Sequence, residues 1–125
     1  MSKAFVFLAM IFFHIVDDYF LQGWLASAKQ KVWWEKNAPQ RLYRYDYIMA
    51  LIMHGLSWSF LMMLPAAAYH SFDVSTEFLV LFVLNAFAHC FVDNAKANWM
   101  EINLIQDQMC HVFQIIATWC WLVAR

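Results

Sequence analysis

The chain alternates between long apolar runs and short polar breaks. Four runs have the length that crosses a bilayer core, about 20 residues each. They predict helices over about 3–23, 47–69, 77–99 and 104–124. Between the first two lies WLASAKQKVWWEKNAPQ, where Trp24, Leu25, Ala28 and Val32 share one helical face and Lys29, Lys31 and Lys36 lie elsewhere. That pattern predicts a short amphipathic helix over about 24–37, lying in the membrane interface. Ala38–Pro39 ends it, because a residue before proline disfavours helical geometry. Pro65 falls in the last turns of the second long helix and is expected to kink it. Ser75 or Thr76 is placed to cap the third, with Glu77 in its first turn. The expected fold is therefore all-α: a four-transmembrane-helix bundle with a short amphipathic interfacial helix between helices one and two, forming a single integral membrane domain over 1–125.

Polar residues inside the apolar runs are not scattered. In the third run Asn85, His89 and Asp93 recur at every fourth position and form one stripe on a helix. His14, Asp18 and Gln22 repeat that spacing in the first run. Asp107 and His111 give a shorter stripe in the fourth, and His54 stands alone in the second. Burying such groups is costly unless each finds a partner, so the stripes are expected to face one another.

Composition sharpens the class. Apolar residues make up 64% of the chain and charged residues 14%, against about a quarter charged in an ordinary globular protein. Twelve Phe, seven Trp and eight Met are more bulk than a soluble fold of this size can hide. The lipid bilayer is thus the expected partner, with a homo-oligomer as a further option. A net charge of −1 gives no electrostatic case for nucleic acid. Cys90, Cys110 and Cys120 lack a C-x-x-C spacing and read as free thiols acting as small hydrophobes.

Lys3 followed by an apolar run resembles a signal peptide, but no small-residue cleavage site follows and the run ends in His14, Asp17 and Asp18; a retained membrane helix is expected. Lys29, Lys31, Lys36, Arg41 and Arg44 cluster between the first two long helices, whereas the next loop has no Lys or Arg. The positive-inside rule then predicts a multi-pass protein of the inner (cytoplasmic) membrane with both termini outside. Trp33, Trp34, Tyr43, Tyr45 and Tyr47 fit an aromatic belt at the same face.

On this topology His14, Asp18, His54, His89, Asp93, Asp107 and His111 all fall within about 12 Å of the cytoplasmic face, at 1.5 Å of rise per residue. A His and an Asp four residues apart can both reach one centre. Four imidazoles with three carboxylates suit a divalent transition metal, Zn first, with Mn, Fe or Ni as alternatives. These seven residues are the expected metal ligands, and Asp18, Asp93, Asp107 and His54 the expected catalytic acids and bases. Gln22, Asn85, Gln108 and Gln114 are candidates to orient the imidazoles. Lys96 either pairs with Asp93 or snorkels to the interface. Asp17 is expected to face elsewhere or to lie at the helix end, Ser57 to be a packing residue, and His70 to be a solvated loop residue.

HIVDDYFLQ (His14–Gln22), the His54 segment, HCFVDNAK (His89–Lys96) and DQMCH (Asp107–His111) together resemble, in the same order and over nearly the whole chain, a family of small bacterial and phage integral membrane proteins of unknown function. That family's pattern is H-x-x-x-D-(F/Y)-x-L-Q, a lone His in the second span, H-x-x-x-D-x-x-K, and D-Q-x-x-H. The resemblance implies a helical membrane bundle of bacterial or phage origin, and no activity.

Three functions are compatible with these residues. The first is metal-dependent hydrolysis of a membrane-associated phosphate- or acyl-containing substrate, at a buried site near the cytoplasmic face. A proton or metal-ion transport component is the second. The third is a non-enzymatic phage or bacterial membrane factor whose His/Asp network only sets the fold.

Overall fold

Ser2 accepts a hydrogen bond from the Phe5 amide and starts α1 (Lys3–Val16), which runs on as a π-helical turn over Asp17–Leu21. The computed structural model describes residues 1–125 and contains helices and no strands. After α1 come α2 (Leu25–Ala28), α3 (Lys31–Asn37), a 3₁₀ turn at Arg41–Tyr43 and α4 (Asp46–Tyr69). Ser75 caps α5 (Thr76–Asn94), its side chain accepting from the Phe78 amide, and a second π turn follows at Ala95–Trp99. Met100, with φ +56°, turns the chain in a left-handed conformation. Asn103 and Gln106 form a reciprocal capping box that starts α6 (Leu104–Trp119), which ends in a third π turn at Cys120–Ala124.

The predicted amphipathic helix is two pieces, not one. The chain breaks at Lys29–Gln30, and Asn98 holds the break. Its side-chain amide donates to the Lys29 carbonyl at 3.0 Å, and its Oδ1 accepts from the Lys31 amide at 2.7 Å. Turning the chain there frees Lys29 to point inward. Pro65 sits inside α4 without ending it.

α1 packs on α4, α4 on α5, α5 on α6 and α6 on α1, closing a four-helix ring. Both termini lie at one end: the Lys3 ammonium donates to the Ala124 carbonyl at 2.9 Å, and the Trp119 indole donates to the Lys3 carbonyl at 3.0 Å. The α4–α5 loop is at the same end, where His70 Nε2 lies 2.7 Å from the Leu122 carbonyl. At Gly55 α4 comes close to α5, since a β-carbon there would lie 2.9 Å from the Ala86 carbonyl oxygen.

Apolar side chains line the outside. Phe5, Leu8, Phe12 and Ile15 of α1, Val80, Leu84, Phe87 and Phe91 of α5, and Ile105, Met109, Phe113 and Ile116 of α6 are all exposed. Exposed apolar surface on this scale is consistent with a membrane protein. Three helical stretches, Lys3–Leu21, Arg41–Tyr69 and Thr76–Trp99, are long and apolar enough to cross a membrane. The interior is divided. Val6, Met10, Trp58, Met62, Met63, Ala66, Ile115 and Val123 form an apolar core toward the termini. Toward α2 the buried positions turn polar, and 11 of the 27 buried residues are polar or charged.

Candidate metal centre

The four long helices each deliver polar side chains to one depth. His14, His54, His89, Asp93, Asp107 and His111 are buried, and the Asp18 side chain is 9% exposed. All seven residues singled out from the sequence therefore sit together, and they play unequal parts.

Four ligand atoms converge. His54 Nε2 lies 3.3 Å from Asp18 Oδ1 and 3.5 Å from Asp93 Oδ2. His89 Nε2 lies 3.8 Å and 3.7 Å from the same two oxygens. These separations exceed the 2.7–3.2 Å of a good hydrogen bond. The two His54 separations fall within the edges of a tetrahedron, about 3.3–3.6 Å, whose corners lie 2.0–2.2 Å from a central ion, and the two His89 separations are slightly longer. Asp18 Oδ1 and both nitrogens of His54 and of His89 are buried without a hydrogen-bond partner. Buried polar groups left unpaired are rare and mark a ligand, a strain or a function. Asp18, His54 and His89, and likewise His89, Asp93 and His111, are spaced to hold a metal ion.

The rest of the cluster orients these ligands. His54 Nδ1 faces Asp17 Oδ2 at 3.4 Å, and Asp17 Oδ1 accepts from the Ser57 hydroxyl at 2.6 Å. A carboxylate on that side attracts a proton to Nδ1 and favours the tautomer whose Nε2 is free, although at 3.4 Å the contact is an electrostatic one and not a hydrogen bond. His111 follows the same scheme: Nδ1 lies 3.1 Å from Gln114 Oε1, and Gln114 in turn donates to the Asn85 carbonyl at 3.2 Å. His111 Nε2 then points at Asp93 Oδ1, 3.5 Å away, and at Asp107 Oδ1, 3.4 Å away. His89 is stacked between Trp58, at 4.3 Å between ring centroids, and His111, at 4.1 Å.

His14 stands apart. Its Nδ1 accepts from the Trp58 indole at 2.8 Å, and its Nε2 lies 3.1 Å from Gln108 Oε1. Gln108 passes the contact on, donating to Asp18 Oδ2 at 3.3 Å and Asp107 Oδ2 at 3.0 Å. With both nitrogens engaged, His14 positions the carboxylates. Two lysines complete the cluster. Lys29, 6% exposed, donates to Asp93 Oδ2 at 2.6 Å, and Lys96 donates to Asp107 Oδ2 at 2.7 Å.

Several residues take other places than their spacing suggests. Asp17 does not face elsewhere; it is fully buried behind His54, because α1 widens into its π turn at this residue. Its position three residues after His14 already put it near the stripe. Ser57 is that carboxylate's hydrogen-bond donor rather than a packing residue. Lys96 pairs with Asp107, neither with Asp93 nor with solvent alone. Trp58, one turn after His54, was legible as a residue on the same face. Nothing local marked Lys29. Of the cysteines, Cys110 and Cys120 are exposed, and Cys90 donates to the Leu51 carbonyl at 3.0 Å, so no thiol faces the cluster. His70 is exposed at the opposite end.

No family model matches the chain, and no curated protein or solved structure is similar to it. The motif resemblance therefore stands on the quoted residues alone, and function has to be argued from the cluster.

Proposed function

We propose that this chain is an integral membrane protein of four spans, Lys3–Leu21, Asp46–Tyr69, Thr76–Trp99 and Leu104–Ala124, whose His/Asp cluster binds a divalent transition metal and supports hydrolysis of a membrane-borne substrate. The fourth span is the least apolar because Gln106, Asp107, Gln108, His111 and Gln114 are spent on its early turns, yet its outer residues are exposed and apolar. Contact of Lys3 with Ala124 brings the termini to one side, as an even number of spans requires. The basic residues at the opposite end favour a cytoplasmic setting for that end, in the inner membrane.

One observation supports the metal reading: His54 Nε2 and His89 Nε2 each lie 3.3–3.8 Å from Asp18 Oδ1 and Asp93 Oδ2, and three of these four atoms are buried and unpartnered. Two nitrogens and two oxygens suit Zn, with Mn or Fe as neighbours in softness. A metal held by these residues with one position left open would supply Lewis acidity toward a phosphoryl or carbonyl oxygen and toward water. Charge supports the same reading. Asp17, Asp18, Asp93 and Asp107 against Lys29 and Lys96 leave two negative charges when the imidazoles are neutral, the complement of one divalent cation.

Location and shape support a lipid-like substrate. A cleft of about 520 Å³ opens sideways between α1 and α6, walled by Ile11, Ile15, Tyr19, Phe20 and Val112, with His14 and Gln108 at its polar end. An amphiphile in the bilayer can enter by that route with its head group toward the cluster.

A second reading has its own support. The Lys29–Asp93 and Lys96–Asp107 pairs are short, and a buried ion-pair network can fix helix register without binding anything. Metal analysis of protein purified without chelator separates the two. The metal reading expects close to one equivalent of Zn, Mn or Fe per chain and a higher melting temperature with added metal, by mass action. Below about 0.1 equivalents, with no response to added Zn²⁺, the network reading stands and the metal reading falls. Hydrolysis is assayed on phosphate and acyl esters in bilayers, with Asp93→Asn as the control.

A further inference from the structure

Asp107 and His111 are left over by the four-atom centre, and they are not idle. Asp107 Oδ1 and His111 Nε2 are both buried and without a hydrogen-bond partner, and they lie 3.4 Å apart. His111 Nε2 is also 3.5 Å from Asp93 Oδ1, the oxygen the first centre does not use. These separations again have the length of a tetrahedral edge. Gln114 holds His111 by Nδ1, and Lys96 holds Asp107 by Oδ2, so His111 Nε2 and Asp107 Oδ1, which face each other, are the free atoms of the two residues.

We infer that the cluster holds two cations, with Asp93 as the bridging carboxylate. Its Oδ2 serves the ion of Asp18, His54 and His89, and its Oδ1 serves a second ion with Asp107 Oδ1 and His111 Nε2. This rests on the metal reading above and extends it.

Ring geometry supports two centres over one. An imidazole lone pair lies in the ring plane. His89 and His111 are stacked with centroids 4.1 Å apart and planes 26° from parallel, a geometry that favours an ion on each ring, although with Asp93 they also lie close enough to share one. The ring separation is close to the 3.5–4 Å between ions in two-metal hydrolytic sites. The coordination numbers differ as well. The first centre has four protein ligands and the second three, and a metal with three protein ligands keeps a position for a reacting group.

Charge then names the class of ligand. Four carboxylates and two ammonium groups balance one divalent ion, so a second ion leaves the cluster two charges positive. The second ion is therefore held together with an anion, and the open position is built for an oxyanion such as a phosphate monoester. The α1–α6 cleft, with Gln108 between it and Asp107, is the side from which a lipid phosphate would approach; free phosphate is the other source of the same chemistry.

The test is a titration of metal-depleted full-length protein in lipid nanodiscs with Co²⁺ in the presence of inorganic phosphate. Bound Co²⁺ is counted after dialysis, and the EPR amplitude is followed. Two equivalents per chain are expected, with the amplitude at two equivalents well below twice that at one, because carboxylate-bridged ions couple. His111→Ala should bind one equivalent with an uncoupled signal. Binding that stops at one equivalent in the parent protein overturns the two-ion site and leaves the one-metal reading intact. Two equivalents with fully additive amplitude overturn the Asp93 bridge. No binding at all overturns both readings. Repeating the titration with phosphatidic acid nanodiscs and no free phosphate distinguishes the anion's source: a second equivalent that appears only there assigns the position to a lipid phosphate.

Discussion

The Trp58 indole N–H points at Nδ1 of His14, 2.8 Å away, and so places the His14 proton on Nε2, facing Gln108. One residue of the apolar core thereby sets the protonation pattern of a relay that ends on two carboxylates. Trp58→Phe should keep the stack on His89 and lose this donor. A buried acceptor left unpaired costs about 1–3 kcal/mol. Thermal unfolding in detergent should show that loss at unchanged metal content. Unchanged stability would mean that the indole does not fix His14.

Asp17 and Ser57 lie behind His54, away from the converging atoms. Asp17→Asn should weaken Zn²⁺ binding about 10–100-fold, as expected when the group orienting a metal-bound histidine is changed. Ser57→Ala removes only the hydroxyl donor and should cause a smaller loss. Competition with a chromogenic chelator reads both. If Asp17→Asn binds Zn²⁺ as the parent does, His54 is not oriented by Asp17.

Lys29 occupies the same carboxylate oxygen that the metal reading assigns as a ligand. Lys29→Met should destabilise the metal-free protein by about 3–5 kcal/mol, because it leaves a buried carboxylate uncompensated. Saturating Zn²⁺ should restore most of that stability, since the ion replaces the lost positive charge. The ion-pair network predicts the same initial loss and no rescue, so melts with and without Zn²⁺ separate the two.

Gly55 lets α4 approach α5 and so sets the distance between His54 and His89. A β-carbon there would overlap Cys90 Sγ and press on the Ala86 carbonyl. Gly55→Ala should cost about 1–3 kcal/mol by overpacking. Adding Cys90→Ala should recover part of it, because the sulfur can be removed and the Ala86 backbone cannot. Full recovery in the double variant would show that the backbone contact is not limiting.

Much of the scaffold was legible in the chain alone. Run length and apolar content predicted the long helices, because both are local properties of the bilayer-crossing helix. A four-residue spacing put His89 with Asp93, and Asp107 with His111, on common faces, because helical periodicity is local too. A shared depth followed from counting residues from one end of each helix. The break at Lys29 was not legible, because it depends on Asn98, which lies 69 positions from Lys29.

The sequence by itself determined the level of the polar interior and seven of its residues, His14, Asp18, His54, His89, Asp93, Asp107 and His111, though not Asp17 or Lys29: apolar runs fix the helices, and a period of 3.6 fixes their inward faces. Only the tertiary structure decided which nitrogen of each histidine looks inward, that Asp17 stands behind His54, and that Lys29 meets Asp93 across 64 residues while Lys96 meets Asp107. Those choices depend on side-chain atoms brought together from different helices, and on a π turn that alters one helix face. Periodicity along a single helix carries no information about either.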